Sequence, residues 1–127
     1  MTEPQHYPPF GLHIPCDVKR VIDGDTVVVG FGSDREWHVR LLDCWCPFER
    51  GHERFIEAKQ TALEFVDAAD SVSVFIPISG DAKDVMREVV SMGRLLGYVY
   101  LREDQTLNHL MVTAGMASTR KGGELGT

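Results

Sequence analysis

The residues best suited to chemistry fall in one stretch, 18–49, which reads VKRVIDGDTVVVGFG, SDREWH and VRLLDCWCPFE. Apolar, β-branched runs flank Asp23-Gly24-Asp25, and a further run carrying Arg40 begins at Val39. As neighbouring strands of a small sheet, these runs set carboxylates at a turn beside an arginine. Such a corner can hold a hard cation through carboxylate oxygens next to a phosphate gripped by a guanidinium. Arg94 supplies one further arginine.

The elements that must position this corner follow from period and punctuation. Pro4, Pro8, Pro9 and Pro15 disfavour helix and ladder alike, so residues 1–14 are expected as a proline-rich extended tail. Strands are expected at 16–22, 26–31 and 37–44, with Asp23-Gly24 as a tight hairpin signal. Phe55, Ala58, Ala62, Val66 and Ala69 then recur at three- and four-residue steps, one apolar face of a helix over 53–69. SVSVFIPI at 71–78 is a fourth strand, with Pro77 marking an edge or a strand end. A short helix is expected around 84–90, a fifth strand at 93–101, and a helix at 107–114 stopped by Gly115. The predicted class is α+β, mainly β: a five-stranded OB-fold-type barrel with an inserted helix and a short C-terminal helix. It occupies 15–118, and 119–127 follow as a flexible, Gly-rich tail.

Composition narrows the function classes. The chain has 127 residues, 43% hydrophobic and 25% charged, the proportions of one ordinary globular domain. No apolar run approaches the length of a membrane span, and the N-terminal residues lack the pattern of a signal peptide, so an intracellular, cytoplasmic location is expected. Cys16, Cys44 and Cys46 are read as reduced thiols, and no second Cys or His pair stands at metal-finger spacing. The five histidines are scattered without metal spacing. A net charge of −6 opposes the approach of a polyanion, although a local phosphate site is compatible with it.

VIDGDTVVV at 21–29, VRLL at 39–42, Cys46-Pro47 with Glu49, Glu57-Ala58, GRLLGYVY at 93–100 and LNHLMVTAGMA at 107–117 resemble the staphylococcal-nuclease (thermonuclease-like) family, in the family's order. The resemblance implies a Ca²⁺-dependent phosphodiesterase hydrolysing DNA or RNA. In that family two aspartates and a threonine carbonyl hold the ion, a glutamate handles the attacking water, and two arginines grip the phosphate. Asp25 matches the first metal aspartate, and Arg40 and Arg94 match the arginines. The family run R-L-x-x-x-D-x-P-E is replaced here by RLLDCWCPFE at 40–49. Without gaps, Trp45 stands at the second aspartate, Cys46 at the threonine and Phe48 at the glutamate. A one-residue slip after Pro47 brings Glu49 to the glutamate's place, and Asp43 is the acid available to replace the missing ligand. The expected site is therefore Arg40, Arg94 and Glu49 as catalytic residues, with Asp25 and Asp43 on a divalent cation. The family's third, C-terminal helix is not expected within 1–127.

A second reading uses the same residues: a degenerate domain that binds nucleic acid or a protein partner without cutting. Arg40 then pairs with Asp25 or Asp43 as a buried salt bridge. An exposed Trp45 at the barrel mouth would stack a base.

Overall fold

A computed structural model gives the structure of residues 11–78, 90–91 and 93–127. The element order is β1 (Gly11–Pro15), β2 (Asp17–Asp23), β3 (Thr26–Gly30), β4 (Trp37–Leu41), α1 (Glu53–Asp67), β5 (Ser73–Pro77), β6 (Val90–Ser91), β7 (Arg94–Arg102), β8 (Gln105–Thr106) and α2 (Leu107–Thr113). The run TVVVG in β3 is buried along its whole length, on both faces, as its unbroken apolar run suits. Its neighbours are β2 and β4, both antiparallel. Beyond β4 the sheet continues in parallel fashion to β7, then to β5 and β1. A parallel neighbour needs a long crossover, and the segment carrying α1 and β5 supplies it.

The sheet path begins at β1 and ends at β2, which are successive segments joined at Cys16. The sheet therefore bends round on itself without a ladder between those two strands. The class is the expected one: mainly β with two helices among the described residues, consistent with an OB-type α+β fold. Val21, Val27, Val39, Leu41, Val74 and Val99 of the strands meet Ala58 and Ala62 of α1 and Leu107 and Met111 of α2 in one core. Full burial of each Val or Leu is worth about 1.5–3 kcal/mol.

Two expectations change. Gly11–Pro15 is a strand paired with β5, not part of the tail. Its one proline stands at the strand's last residue. Pro77 is the end of β5, the second of its two expected places, and β5 itself lies between β1 and β7. The strand expected to reach residue 44 stops at Leu41, because Asp43 adopts a left-handed backbone, φ 53°, that no strand accommodates. The short helix expected at 84–90 lies outside the described residues except for Val90, which opens β6.

Both helices are set by local chemistry. His52 caps α1 by accepting the Arg54 N–H at 3.1 Å. Thr106 caps α2 by accepting from His109 N–H at 3.1 Å. At the other end of α2, Gly115 takes φ 77°, Met116 N–H reaches Met111 O at 3.0 Å and Gly115 N–H reaches Val112 O at 3.0 Å. This is the Schellman stop that Gly115 foreshadows in the sequence.

α2 is tied to the sheet by Asn108, which is 1% exposed. Its Oδ1 accepts Val99 N–H at 2.9 Å, and its Nδ2 donates to Leu42 O at 2.8 Å and Gly97 O at 3.0 Å. Asn108→Ala leaves buried partners unpaired on two strands' worth of chain and is expected to cost about 2–4 kcal/mol. Urea unfolding with an unchanged m-value is the measurement, and a loss below about 0.5 kcal/mol would contradict this role.

Candidate functional site

The turn between β2 and β3 is closed by its own carboxylate: Asp25 N–H donates to Asp23 Oδ1 at 3.1 Å. Gly24 is required for close approach. A Cβ there would lie 2.7 Å from Cys46 Sγ and 3.1 Å from Ala58 Cβ, so the turn is seated against both α1 and the 44–46 segment. Asp25 is thereby held facing inward. Its Oδ1 accepts from the Thr26 hydroxyl at 3.3 Å, its Oδ2 accepts Cys46 N–H at 3.2 Å, and its carbonyl accepts Leu41 N–H at 2.8 Å.

Arg40 lies opposite Thr26 in the β3–β4 ladder and meets this carboxylate. Its Nη2 is 3.3 Å from Asp25 Oδ2, the two side chains being only 12% and 14% exposed. Its Nη1 donates to Leu41 O and Cys44 O at 2.8 Å each, and to Asp25 O at 3.3 Å. The guanidinium also lies 4.7 Å from the centre of the Trp45 ring. Arg40 thus engages acid, main chain and aromatic at once.

The other expected residues are distributed around that pair. Leu96 is the residue across from Arg40 on β7, so Arg94, two positions earlier, lies on the same sheet face, about 7 Å along the strand. Arg94 is half-buried and opens β7 in register with Ser91. Asp43 is exposed, and its Oδ2 accepts the Tyr98 hydroxyl at 2.5 Å. Tyr98 and Arg94 are four residues apart on β7, about 13 Å, so Asp43 is bonded at the far end of the row from Arg94. Glu49 is exposed just before α1, and its carbonyl accepts His52 N–H at 2.9 Å. The neighbouring Phe48 stacks on His52, ring centres 5.5 Å apart, with Arg54 4.7 Å from its ring.

The structure adds residues that sequence reasoning left out of the site. Asp23 hydrogen-bonds the Asp25 main chain, and its carboxyl sits beside that of Asp25. An Asp-x-Asp spacing across a tight turn was the available signal. Tyr98 and Lys121 carried none, because only tertiary structure brings them to Asp43 and Trp45.

Burial, followed by the hydrogen bond to Asp23, pushes the Asp25 carboxyl up to about 7, although Arg40 pulls it the other way. Burial also raises the thiols of Cys16, to about 11, and of Cys44 and Cys46, so none of the three is an activated nucleophile.

A hard divalent ion takes six or more oxygens, with carboxylates dominating. Here Asp25 Oδ2 is paired with the Arg40 guanidinium and accepts Cys46 N–H, and the Asp43 carboxylate accepts the Tyr98 hydroxyl. Among the described residues no three of His, Cys, Asp or Glu converge at ligand spacing. The residues present do not fit a Ca²⁺-type centre.

What they do form is a cleft of about 390 Å³ beside Trp45, lined by Trp45, Cys46, Pro47, Ser118, Lys121, Gly122 and Gly123. Trp45 and Ser118 make a two-bond antiparallel bridge, N–H to O at 2.7 and 3.0 Å, which holds the C-terminal segment against the 44–46 segment. The Lys121 ammonium is 5.9 Å from the Trp45 ring. Residues 119–127 are turns rather than helix or strand, with Gly126 N–H returning to Ala117 O at 2.9 Å.

The Asp25 shift has a sign that can be measured. A carboxyl raised from 3.8 unfolded to about 7 folded holds its proton more tightly in the folded state. Its contribution favours folding fully below about pH 3.8 and is lost as pH rises toward 7. Asp25→Asn removes this titration along with the charge that pairs with Arg40. Whatever its offset from the wild type, the wild type is expected to lose stability relative to it as pH rises from 4 to 8. Denaturation midpoints across that range test it; a difference independent of pH would contradict the shift.

No helix among the described residues is long and apolar enough to cross a membrane. A comparison with curated proteins gives no match. A comparison with protein families matches the staphylococcal nuclease homologue model to residues 38–124, which contain Arg40, Trp45, Arg94 and the Lys121 side of the cleft. With more than half its length matched, and with the β4–β7 crossover and α2 built as described, the chain belongs to the staphylococcal nuclease homologue family.

Proposed function

We propose that this nuclease-like domain binds single-stranded nucleic acid at the Trp45 cleft without hydrolysing it. The observation that carries the reading is Trp45 itself: 40% exposed, flanked by Arg40 at 4.7 Å and Lys121 at 5.9 Å, and opening on a cleft of about 390 Å³. An exposed indole offers a face to a base, and the exposed Lys121 ammonium beside it offers counter-charge to a linking phosphate. Unpaired bases are the chemistry that suits it, because a duplex hides its base faces. The acidic field of the whole chain makes the expected binding moderate and strongly salt-dependent.

A second reading, a divalent-metal-dependent phosphodiesterase, is favoured by one observation. The Asp23 and Asp25 carboxyls lie side by side next to Arg40, and a further cation would be drawn to such a pair. Arg40 and Arg94 would then bind phosphate and Glu49 would act on water.

Fluorescence anisotropy with labelled DNA and RNA oligonucleotides separates the two. Binding is expected to be equal in chelator and in Ca²⁺, Mg²⁺ or Mn²⁺, with no cleavage. Trp45→Ala is expected to weaken it about tenfold or more, the worth of one stacked base. Lys121→Ala is expected to lower the salt slope by about one. Metal-dependent cleavage abolished by Asp25→Asn and Arg40→Ala would instead establish the second reading.

A further inference from the structure

Among the described residues Asp43 is the only one other than glycine with a left-handed backbone, φ 53°. Asp tolerates that region better than most residues, yet it remains strained there and persists only where neighbours hold it. The neighbours are explicit. Leu42 N–H donates to Gly97 O at 3.0 Å, and Leu42 O accepts from Asn108 at 2.8 Å. Cys44 O accepts from Arg40 at 2.8 Å, and Trp45 is bridged to Ser118 on both main-chain groups. Between these anchors the reversal of chain direction falls on Asp43, and its side chain is held by the 2.5 Å bond from the Tyr98 hydroxyl. Tyr98 is 5% exposed and fixed in β7 opposite Phe75, so the donor is rigid. A short bond from a phenol to a carboxylate is among the stronger neutral–ionic hydrogen bonds.

We infer that Asp43 is a positioning residue: the Tyr98–Asp43 clasp holds the left-handed turn that presents Trp45 to the cleft. Without that turn the chain would continue as β4 and carry the residues after Leu41 along the sheet instead of across Arg40. The acid of the 40–49 run then serves the aromatic two residues later, not a metal. This inference rests on the reading of Trp45 as a binding platform for its functional consequence, but the geometric part stands apart from it.

The test uses a Trp37→Phe background, which leaves Trp45 as the sole tryptophan of the chain's two. Acrylamide quenching of Trp45, melting temperature and oligonucleotide affinity are measured for Tyr98→Phe, Asp43→Gly and Asp43→Asn. Tyr98→Phe keeps the buried ring and removes only the donor. Asp43→Gly removes the acceptor and leaves the backbone free to adopt or abandon the left-handed region. Both are expected to change Trp45 quenching and to weaken oligonucleotide binding about tenfold, the scale of one hydrogen bond to a charged group. Asp43→Asn keeps an acceptor and a residue tolerant of the left-handed region, so quenching and affinity near the starting values support the clasp. Unchanged quenching and affinity in Tyr98→Phe overturn it. Should the starting protein bind no oligonucleotide, the Trp45 reading falls while the quenching comparison still decides the clasp.

Discussion

The corner depends on where the Arg40 guanidinium finds its partners. It is almost wholly buried, and burial of a charge is tolerated only when it is paired and hydrogen-bonded. Asp25 supplies the opposite charge, while Leu41 at the end of β4 and Cys44 beyond it supply carbonyls. Those bonds tie the β2–β3 turn to the end of β4 and fix the start of the next segment. Asp25 in turn relies on Gly24, whose lack of a side chain lets the turn sit against Cys46 and Ala58.

A second layer of ties carries that order to the rest of the chain. Asn108 joins α2 to Leu42, Gly97 and Val99, and Tyr98 joins β7 to Asp43. The segment from Leu42 to Trp45 is thus held from β7, from α2, from Arg40 and from Ser118, although it belongs to no helix or strand of its own. Irregular chain becomes a fixed surface only with this many anchors, and Trp45 is the exposed residue they define.

Electrostatics divide the site into two characters. Asp23 and Asp25 form a half-buried acidic pair beside Arg40; burial first, and then the hydrogen bond to Asp23, push the Asp25 carboxyl up, against the pull of Arg40. Trp45 and Lys121 face outward beside the cleft, where they meet solvent and any ligand. The inner pair sets the shape of the corner, and the outer pair sets what the corner can bind. An overall charge of −6 means that attraction is local to this patch and not a property of the whole surface.

Much of the fold was legible because its signals are local. The β-branched runs either side of Asp23-Gly24, helical spacing from Phe55 to Ala69, and the glycine after LNHLMVTA each depend on a few adjacent residues. The meeting of Asp25 and Arg40 was legible too, since a hairpin and the next strand leave little freedom in pairing. The strand at Gly11–Pro15 was hidden because its evidence is a ladder to β5, sixty residues away, which outweighs the proline-rich composition before it. The fate of Asp43 was hidden for a similar reason. Period-two arithmetic assumes a continuing strand, whereas a hydroxyl from Tyr98 and a left-handed backbone turn the chain there instead. The sequence by itself determined most of the elements, those with local signals, and which residues carry charge. Only the tertiary structure decided which of those charges are consumed by one another and which side chains face a ligand, because those choices rest on contacts between segments far apart in the chain.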